Sequence, residues 1–344
     1  TLYDSEHEIF RESFRRFLQT EVAPHHMRWE EAGQVDRDLW LKAGEAGFLC
    51  TGIPEAYGGA GADFRYSAVV SEELARQIFS GPGFRLHSDI AAPYILHYGD
   101  EAQKMRWLPE LAAGKMIAAI AMTEPSAGSD LQALRTTARR EGDTYVINGA
   151  KTFISNGQLA DLVILACKTD PSGGAKGVSL ILVETDRPGF RRGCNLAKIG
   201  MKAQDTSELF LDDVRVPAEN LLGEEGCGFR YLMSELPQER LLVAITAQAA
   251  AAAALGWTLE HTHNRKAFGQ SLADLQTIRF KLAEMKTEVE LGRVFLDRCI
   301  DLHVEGKLNV EAAAMAKYWL TEMEGRVLDQ CLQLHGGYGY MLEY

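Results

Sequence analysis

The chain has 344 residues, 46% of them hydrophobic and 24% charged, with a formal net charge of −12. This is the composition of a folded chain long enough for two or three domains, and its negative field opposes nucleic acid and anionic membrane surfaces alike. The six cysteines, Cys50, Cys167, Cys194, Cys227, Cys299 and Cys331, form no C-x-x-C pair and read as reduced, mostly buried thiols of a cytosol or a matrix.

The opening stretch "TLYDSEHEIFRESFRRFLQTEV" alternates charged and aromatic residues and lacks the apolar run of a signal peptide, so it reads as mature protein. Ile9, Phe10, Phe14, Phe17, Leu18 and Val22 make one apolar helical face that Pro24 ends, and "DLWLKAGEAGFL", "YSAVVSEELARQIF" and "DEAQKMRWLPELAAG" predict further helices. Between them Gly58, Gly59 and Gly61 mark a loop. From about residue 120 the period changes: "TYVING", "KTFISNG", "DLVILACKT", "GVSLILVETD" and "SELFLDDVRVP" are short and β-branched, with turns expected at Asn148-Gly149 and Asn156-Gly157. With no helices between them, they predict an antiparallel barrel or sandwich of about five to eight strands rather than a parallel sheet.

After Gly228 the helical period returns. In "ELPQERLLVAITAQAAAAAALG", Pro237 suits a first helical position, and Glu239 near the positive end of a helix dipole contributes ~0.3–1 kcal/mol. Glu239 and Arg240 point about 100° apart, so the alternative is two charges with two separate tasks. Gln248, Gly256 and Glu260 interrupt the alanine run, which makes it a packed interior helix rather than a membrane span. Leu275, Ile278, Leu282, Met285 and Val289, and then Ala312, Ala316, Trp319, Met323 and Val327, recur at helical spacing and predict a bundle. The chain closes on the glycine-rich "HGGYGYMLEY" without a final helix, and further residues are expected beyond Tyr344. The expected fold is α+β: an N-terminal helical domain over 1–118, a central β domain over 119–228, and a C-terminal domain of the four-helix-bundle type over 229–344, incomplete at its end.

Several signatures are missing: G-x-G-x-x-G after a strand, the Walker A loop, the G-x-S-x-G elbow and H-E-x-x-H. His25-His26 adjoin a proline stop and His261 and His263 fall on different helix faces, so no metal site is expected. "AMTEPSAGSD" clusters hydroxyls and glycine after an apolar strand, a turn suited to a phosphate or a heteroaromatic edge; taken alone it is equally a polar loop. In "KTFISNG", Phe153 and Ser155 project from one face of a strand. In "NRKAFGQSLADLQ", Arg265, Phe268 and Gln276 fall at a helix start and the turn beyond it, and "CLQLHGGYGY" adds Gln333 and Gly337.

The ordered set M-T-E-P-S-A-G-S-D, K-x-F-I-S-N-G, R-K-A-F-G and Q-L-H-G-G-Y-G, spread over an α–β–α layout, resembles the acyl-CoA dehydrogenase family, and "LPQERLL", "KAQDTSELF" and "AKYW" look most like its long-chain branch. The resemblance covers essentially the whole chain. It implies FAD as cofactor, with Met122, Thr123 and Ser155 hydrogen-bonded to the isoalloxazine, Phe153 covering the ring and Ser129 facing the CoA or cofactor phosphates. It further implies that Arg265, Phe268, Gln276, Gln333 and Gly337 grip the diphosphate and adenine end across a subunit interface of a homotetramer. Glu239 becomes the base that removes the acyl α-proton while flavin N5 accepts the β-hydride, and Arg240 contacts CoA. Expected with these are a medium- to long-chain acyl-CoA substrate, electron-transfer flavoprotein as acceptor, and a soluble location in a bacterial cytoplasm or mitochondrial matrix, with no nucleic acid and no stable membrane insertion. The alternatives are a short- or branched-chain dehydrogenase of the isovaleryl type, an acyl-CoA oxidase, and a non-catalytic flavin-binding relative.

Overall fold

In the computed structural model, which describes residues 2–343, the chain folds as helices, then strands, then long helices. The N-terminal helices are α1 (Ser5–Phe17), α2 (His26–Ala32), α3 (Asp38–Glu45), α4 (Phe64–Arg76), α5 (Ala92–Tyr98) and α6 (Glu101–Ala112). α1 runs on through a π-helical turn, Leu18–Val22, that carries the predicted apolar face inward: Phe14, Leu18 and Val22 are fully buried, whereas Ile9 points to solvent. α6 opens on a capping box in which the Asp100 carboxylate accepts from the Gln103 N–H, satisfying an orphan donor of the first turn.

The strands are β1 (Ala118–Ala121), β2 (Thr137–Glu141), β3 (Thr144–Ser155), β4 (Leu162–Lys168), β5 (Val178–Glu184), β6 (Phe190–Asn195) and β7 (Thr206–Pro217). They form one sheet in the order β1-β4-β2-β3-β7-β6, with β5 paired to β4. The expectation of a wholly antiparallel sheet is corrected around β4: β1 and β4 run parallel, Ala118 opposite Leu162 and Ala121 opposite Leu165, and β2 meets β4 in parallel where Thr137 lies opposite Lys168. β2 and β3 intervene in the chain and supply the crossover that a parallel pair requires. A second correction concerns Asn148-Gly149, read as a hairpin turn. "TYVING" and "KTFIS" are a single strand, β3, and the dipeptide lies opposite a bulge of β7 that holds the extra residue, where the Asn148 amide and Asp213 exchange two hydrogen bonds of 2.9 Å.

Strand alternation divides the core into two layers. Ala118, Ile120, Leu162, Ile164, Leu180 and Leu182 face the side chains of α5 and α6, among them Tyr94, Trp107 and Leu111. The alternate residues Ala119, Ala121, Val163, Leu165, Ile181 and Val183 pack on Ile147, Leu209 and Val214 of β3 and β7. Residues 13–67 and 80–236 make up this compact unit; a second unit comprises 1–12, 68–79 and 237–344.

The second unit carries α7 (Gly228–Asn264, from Pro237 onward), the hairpin β8 (Lys266–Ala267) and β9 (Gln270–Ser271), α8 (Gln276–Val304) and α9 (Val310–His335). The predicted stripes are buried at Leu282, Met285 and Val289 and at Ala316, Met323 and Val327. Gly292 permits close approach of the helices, since a Cβ there would come within 2.4 Å of Gln248 Oε1 and 2.9 Å of Leu320. α7 is long and apolar enough to cross a membrane by length and composition, but 56% of its most apolar window is buried inside the protein, as in a core helix. An ionic cluster ties α1, α4 and α8 together within this unit: the buried Glu72 carboxylate accepts from Arg11 at 2.8 Å, from Arg293 at 2.6 Å and from the Tyr3 hydroxyl at 2.8 Å.

Candidate active site

The first set of sequence-predicted residues lies where β1 ends. Ala118, the first residue of β1, is held from both sides: its N–H donates to His87 Nδ1 at 3.0 Å and its carbonyl accepts from Asn156 Nδ2 at 3.2 Å. Four residues on, Met122 and Thr123 leave the strand half-buried. The fully buried Lys151 of β3 donates to the Met122 carbonyl at 3.0 Å and to Glu124 at 2.8 Å, while the Thr152 N–H donates to the Thr123 carbonyl at 3.0 Å. Glu124 also accepts the backbone N–H groups of Arg135 and Thr136. Burial pushes its carboxyl up, but the Lys151 charge and these hydrogen bonds outweigh that and hold it below the usual carboxylate range.

Beside this clasp β3 bulges. Lys151 pairs with Leu209 and Ile154 with Ser207, so β3 spends one extra residue there, and Phe153 takes φ of 60° with its ring 66% exposed. Thr152 and Ile154 are buried while Ser155, opposite Thr206, is half-buried, so Phe153 and Ser155 are the more open positions of the segment. An exposed aromatic ring bordered by hydroxyls and backbone donors suits a flat heteroaromatic ligand. Ser129 lies exposed in the loop beyond, next to Asp130, whose carboxylate accepts from the Gln132 N–H.

The second set lies in the other unit, and its placement differs from expectation. Arg265 follows the end of α7 rather than opening a helix, Phe268 stands at the tip of the β8–β9 hairpin with 91% of its surface exposed, and Gln276 is the first residue of α8. Phe268 and Gly269 both have positive φ, 54° and 80°, the geometry of a two-residue hairpin turn. Arg265 reaches the C-terminal turn Gly336–Tyr340, where its guanidinium carbon lies 5.4 Å from the centroid of the Tyr338 ring. Gln333 is exposed in the last turn of α9, its carbonyl accepting from the Gly336 N–H, and Gly337 is exposed in the turn that follows. A guanidinium beside open glycine backbone suits an anion.

Glu239 and Arg240 are half-buried on α7, directly before the buried Leu241, Leu242, Ala244 and Ile245. The first-turn argument for Glu239 is overturned: α7 begins at Gly228, so Pro237 lies inside the helix and Glu239 well beyond the dipole's positive end. Burial of Tyr231 and Leu232 explains the earlier start, outweighing the ~3 kcal/mol that an interior proline costs. Sequence reasoning passed over Glu235, which is buried in the part of the same helix that lies within residues 80–236. Its carboxylate accepts from the Tyr98 hydroxyl at 2.7 Å and lies 2.9 Å from His97 Nδ1. It also missed the Lys151–Glu124 clasp and the buried Asn156, although all three residues stand inside the motifs; nothing in their spacing separates a side chain that positions backbone from one that meets a ligand. Among the described residues no group of three or more histidine, cysteine or acidic side chains is arranged to hold a metal.

Comparison with known proteins bears on the whole chain. Residues 4–115 match the acyl-CoA dehydrogenase N-terminal domain, 119–214 the middle domain and 226–344 the C-terminal domain. The chain is 52% identical over 345 aligned positions to the mitochondrial long-chain specific acyl-CoA dehydrogenase of Sus scrofa, covering 100% of this chain and 80% of that protein. An acyl-CoA dehydrogenase structure from Geobacillus kaustophilus superimposes with a TM-score of 0.98 at 53% identity, covering 99% of this chain and 90% of that one. A glutaryl-CoA dehydrogenase from Mycobacterium smegmatis, solved in complex with FADH2, does so with a TM-score of 0.90 at 30% identity, covering 100% and 87%. With three successive domain matches and an identity of one residue in two along its full length, the chain belongs to the acyl-CoA dehydrogenase family.

Proposed function

We propose that this acyl-CoA dehydrogenase oxidises medium- to long-chain acyl-CoA thioesters to the trans-2-enoyl-CoA, with Glu239 as the base that takes the α-proton. The observation that carries the chain-length reading is the full-length 52% identity to the long-chain specific enzyme. For Glu239 the support is chemical: a thioester α-proton is weakly acidic, and a carboxylate bordered by buried apolar side chains is a stronger base once substrate excludes water. FAD, when bound, supplies the two-electron acceptor for the hydrogen leaving the β-carbon.

In this reading Met122, Thr123 and Ser155 hydrogen-bond the edge of the isoalloxazine and Phe153 covers its face. The exposed ring at the β3 bulge and the buried Lys151–Glu124 clasp beside it support that assignment. Arg265, Phe268, Gln276, Gln333 and Gly337 hold the diphosphate and adenine end from a neighbouring copy, and Ser129 and Arg240 meet the CoA portion. A homotetramer accords with the large apolar side chains exposed on α8 and α9, among them Phe280, Leu291, Val294, Tyr318 and Leu332. The domain limits 1–118, 119–228 and 229–344, electron-transfer flavoprotein as acceptor, and a bacterial cytoplasm or a mitochondrial matrix as location complete the proposal. Six free cysteines accord with such a compartment.

The test is anaerobic titration of the purified protein with palmitoyl-CoA, following the flavin spectrum. Bleaching near one equivalent per flavin is expected. A yellow spectrum unchanged by palmitoyl-CoA but bleached by a short or branched acyl-CoA overturns the chain-length reading, and peroxide formed stoichiometrically under air overturns the assignment of a flavoprotein acceptor.

A further inference from the structure

We infer that the stacked imidazoles of His261 and His335 form a proton-linked part of the FAD diphosphate site, taking up a proton when the dinucleotide binds beside Arg265. The inference rests on the reading of Arg265, Gln333 and Gly337 given above. His261 lies in the last turn of α7 and His335 ends α9; their ring centroids are 4.2 Å apart with the planes 11° from parallel. The Tyr338 ring lies 6.4 Å from that of His261, and the Arg265 guanidinium carbon lies 5.4 Å from the Tyr338 centroid. The Arg265 N–H donates to the His261 carbonyl at 2.8 Å, so the arginine leaves the helix one turn beyond the imidazole.

Three groups able to carry positive charge thus meet in one place. Among the described residues, the charges acting on His261 are His335, which ends α9, and Arg265, just beyond the end of α7; burial first, then those two groups, hold His261 below the ordinary histidine value. The Thr258 hydroxyl donates to the Ala254 carbonyl at 2.8 Å, which leaves its oxygen to accept from His335 Nε2–H at 3.4 Å. A second proton on His335 therefore goes to Nδ1. Both rings stand at helix C-termini, whose carbonyls favour a cation, and an arriving dianion favours it further. The sign follows from linkage: binding raises the proton affinity of the site, so the gain in FAD affinity is fully present at low pH and is lost as pH rises through the value of His261 in the complex.

The experiment is FAD binding to the full-length apoprotein from pH 6 to pH 8, read by flavin fluorescence and by calorimetry in two buffers of different ionisation enthalpy. FAD itself does not titrate in this range. The wild type is expected to bind about five- to tenfold more weakly at pH 8 than at pH 6 and to take up protons on binding, whereas His261→Gln and His335→Gln vary by less than about twofold. A pH-independent wild type without proton uptake overturns the inference, as does undiminished uptake in both variants. Arg265→Ala separates the two levels. If it binds FAD like the wild type, the reading of Arg265 fails and takes the inference with it; if it loses FAD while both histidine variants keep the wild-type pH dependence, the inference alone fails.

Discussion

Glu239→Gln removes the negative charge of the proposed base while keeping its size, and its expected signature is kinetic. Flavin content should match the wild type, and reduction by acyl-CoA under anaerobic stopped-flow conditions should slow by ~10²–10⁴-fold, the usual contribution of a positioned general base. Reduction at the wild-type rate would remove Glu239 from the chemistry. The sequence motif brought this residue to notice for a local reason that does not survive, the first turn of a helix, because Pro237 reads as a helix start and is in fact an interior residue. Arg265 presents the same lesson in reverse: its residue type suited an anion from the outset, but its position beyond the end of α7 became visible only with the hairpin that Phe268 and Gly269 turn. For Arg265→Ala, purification with depleted flavin is the expected result, measured as the ratio of flavin to protein absorbance.

At the scale of the element, a buried ion pair, Lys151 with Glu124, stands beside the bulge in β3. Lys151→Met keeps the stem and leaves the Glu124 carboxylate without the ammonium, with the Arg135 and Thr136 N–H groups still donating to it in a nearly solvent-free setting. Breaking a buried pair from one side costs about 3–5 kcal/mol, so the melting temperature should fall and flavin be lost with it. The double variant Lys151→Met with Glu124→Gln should recover part of that stability, and a Lys151→Met protein as stable as the wild type would refute the clasp. The strands of "DLVILACKT", "GVSLILVETD" and "SELFLDDVRVP" were legible because each alternates or buries on its own. β2 and β6 were not singled out as strands, and β1 was noticed only as the apolar strand before "AMTEPSAGSD". β1 has four residues, AAIA, and β2 and β6 are polar with mixed exposure, so long-range pairing rather than local pattern decides them.

At the scale of the molecule, stability depends on pH through two buried groups two residues apart. Burial lifts the Asp89 carboxyl to about 7, against the opposing Ser67 hydrogen bond and Arg85 charge. Burial lowers His87 to about 4, and its Nδ1 is already committed to the Ala118 N–H. A raised carboxyl favours the protonated native state, so its contribution is present below the unfolded value of 3.8 and lost as pH rises toward about 7. The lowered histidine has the opposite slope, its contribution present above 6.5 and lost as pH falls toward about 4. Asp89→Asn isolates the first: between pH 5 and pH 7.5 the wild type should lose on the order of 2 kcal/mol of unfolding free energy relative to the variant, measured by urea denaturation. Parallel profiles would show that Asp89 does not titrate in the folded state as described. The order of helices, strands and helices was legible throughout from the change of period, whereas this buried polar cluster was not, since nothing in the local spacing of His87, Ser88 and Asp89 foretells the π-helical turn Leu86–Ala91 that carries them inward.

The grip on Ala118 has a consequence for modularity. The family's segments follow one another along the chain, with 4–115 ending just before β1 and 119–214 beginning inside it. Yet the first residue of β1 hangs on His87 from the preceding segment, and one whole face of the sheet, Ile120, Leu162, Ile164, Leu180 and Leu182, is covered by helices from that segment. A unit of descent is therefore not a unit of folding. Excised and expressed alone, residues 119–228 would present that apolar face to water and aggregate, so recombination between relatives succeeds only when the first two segments travel together.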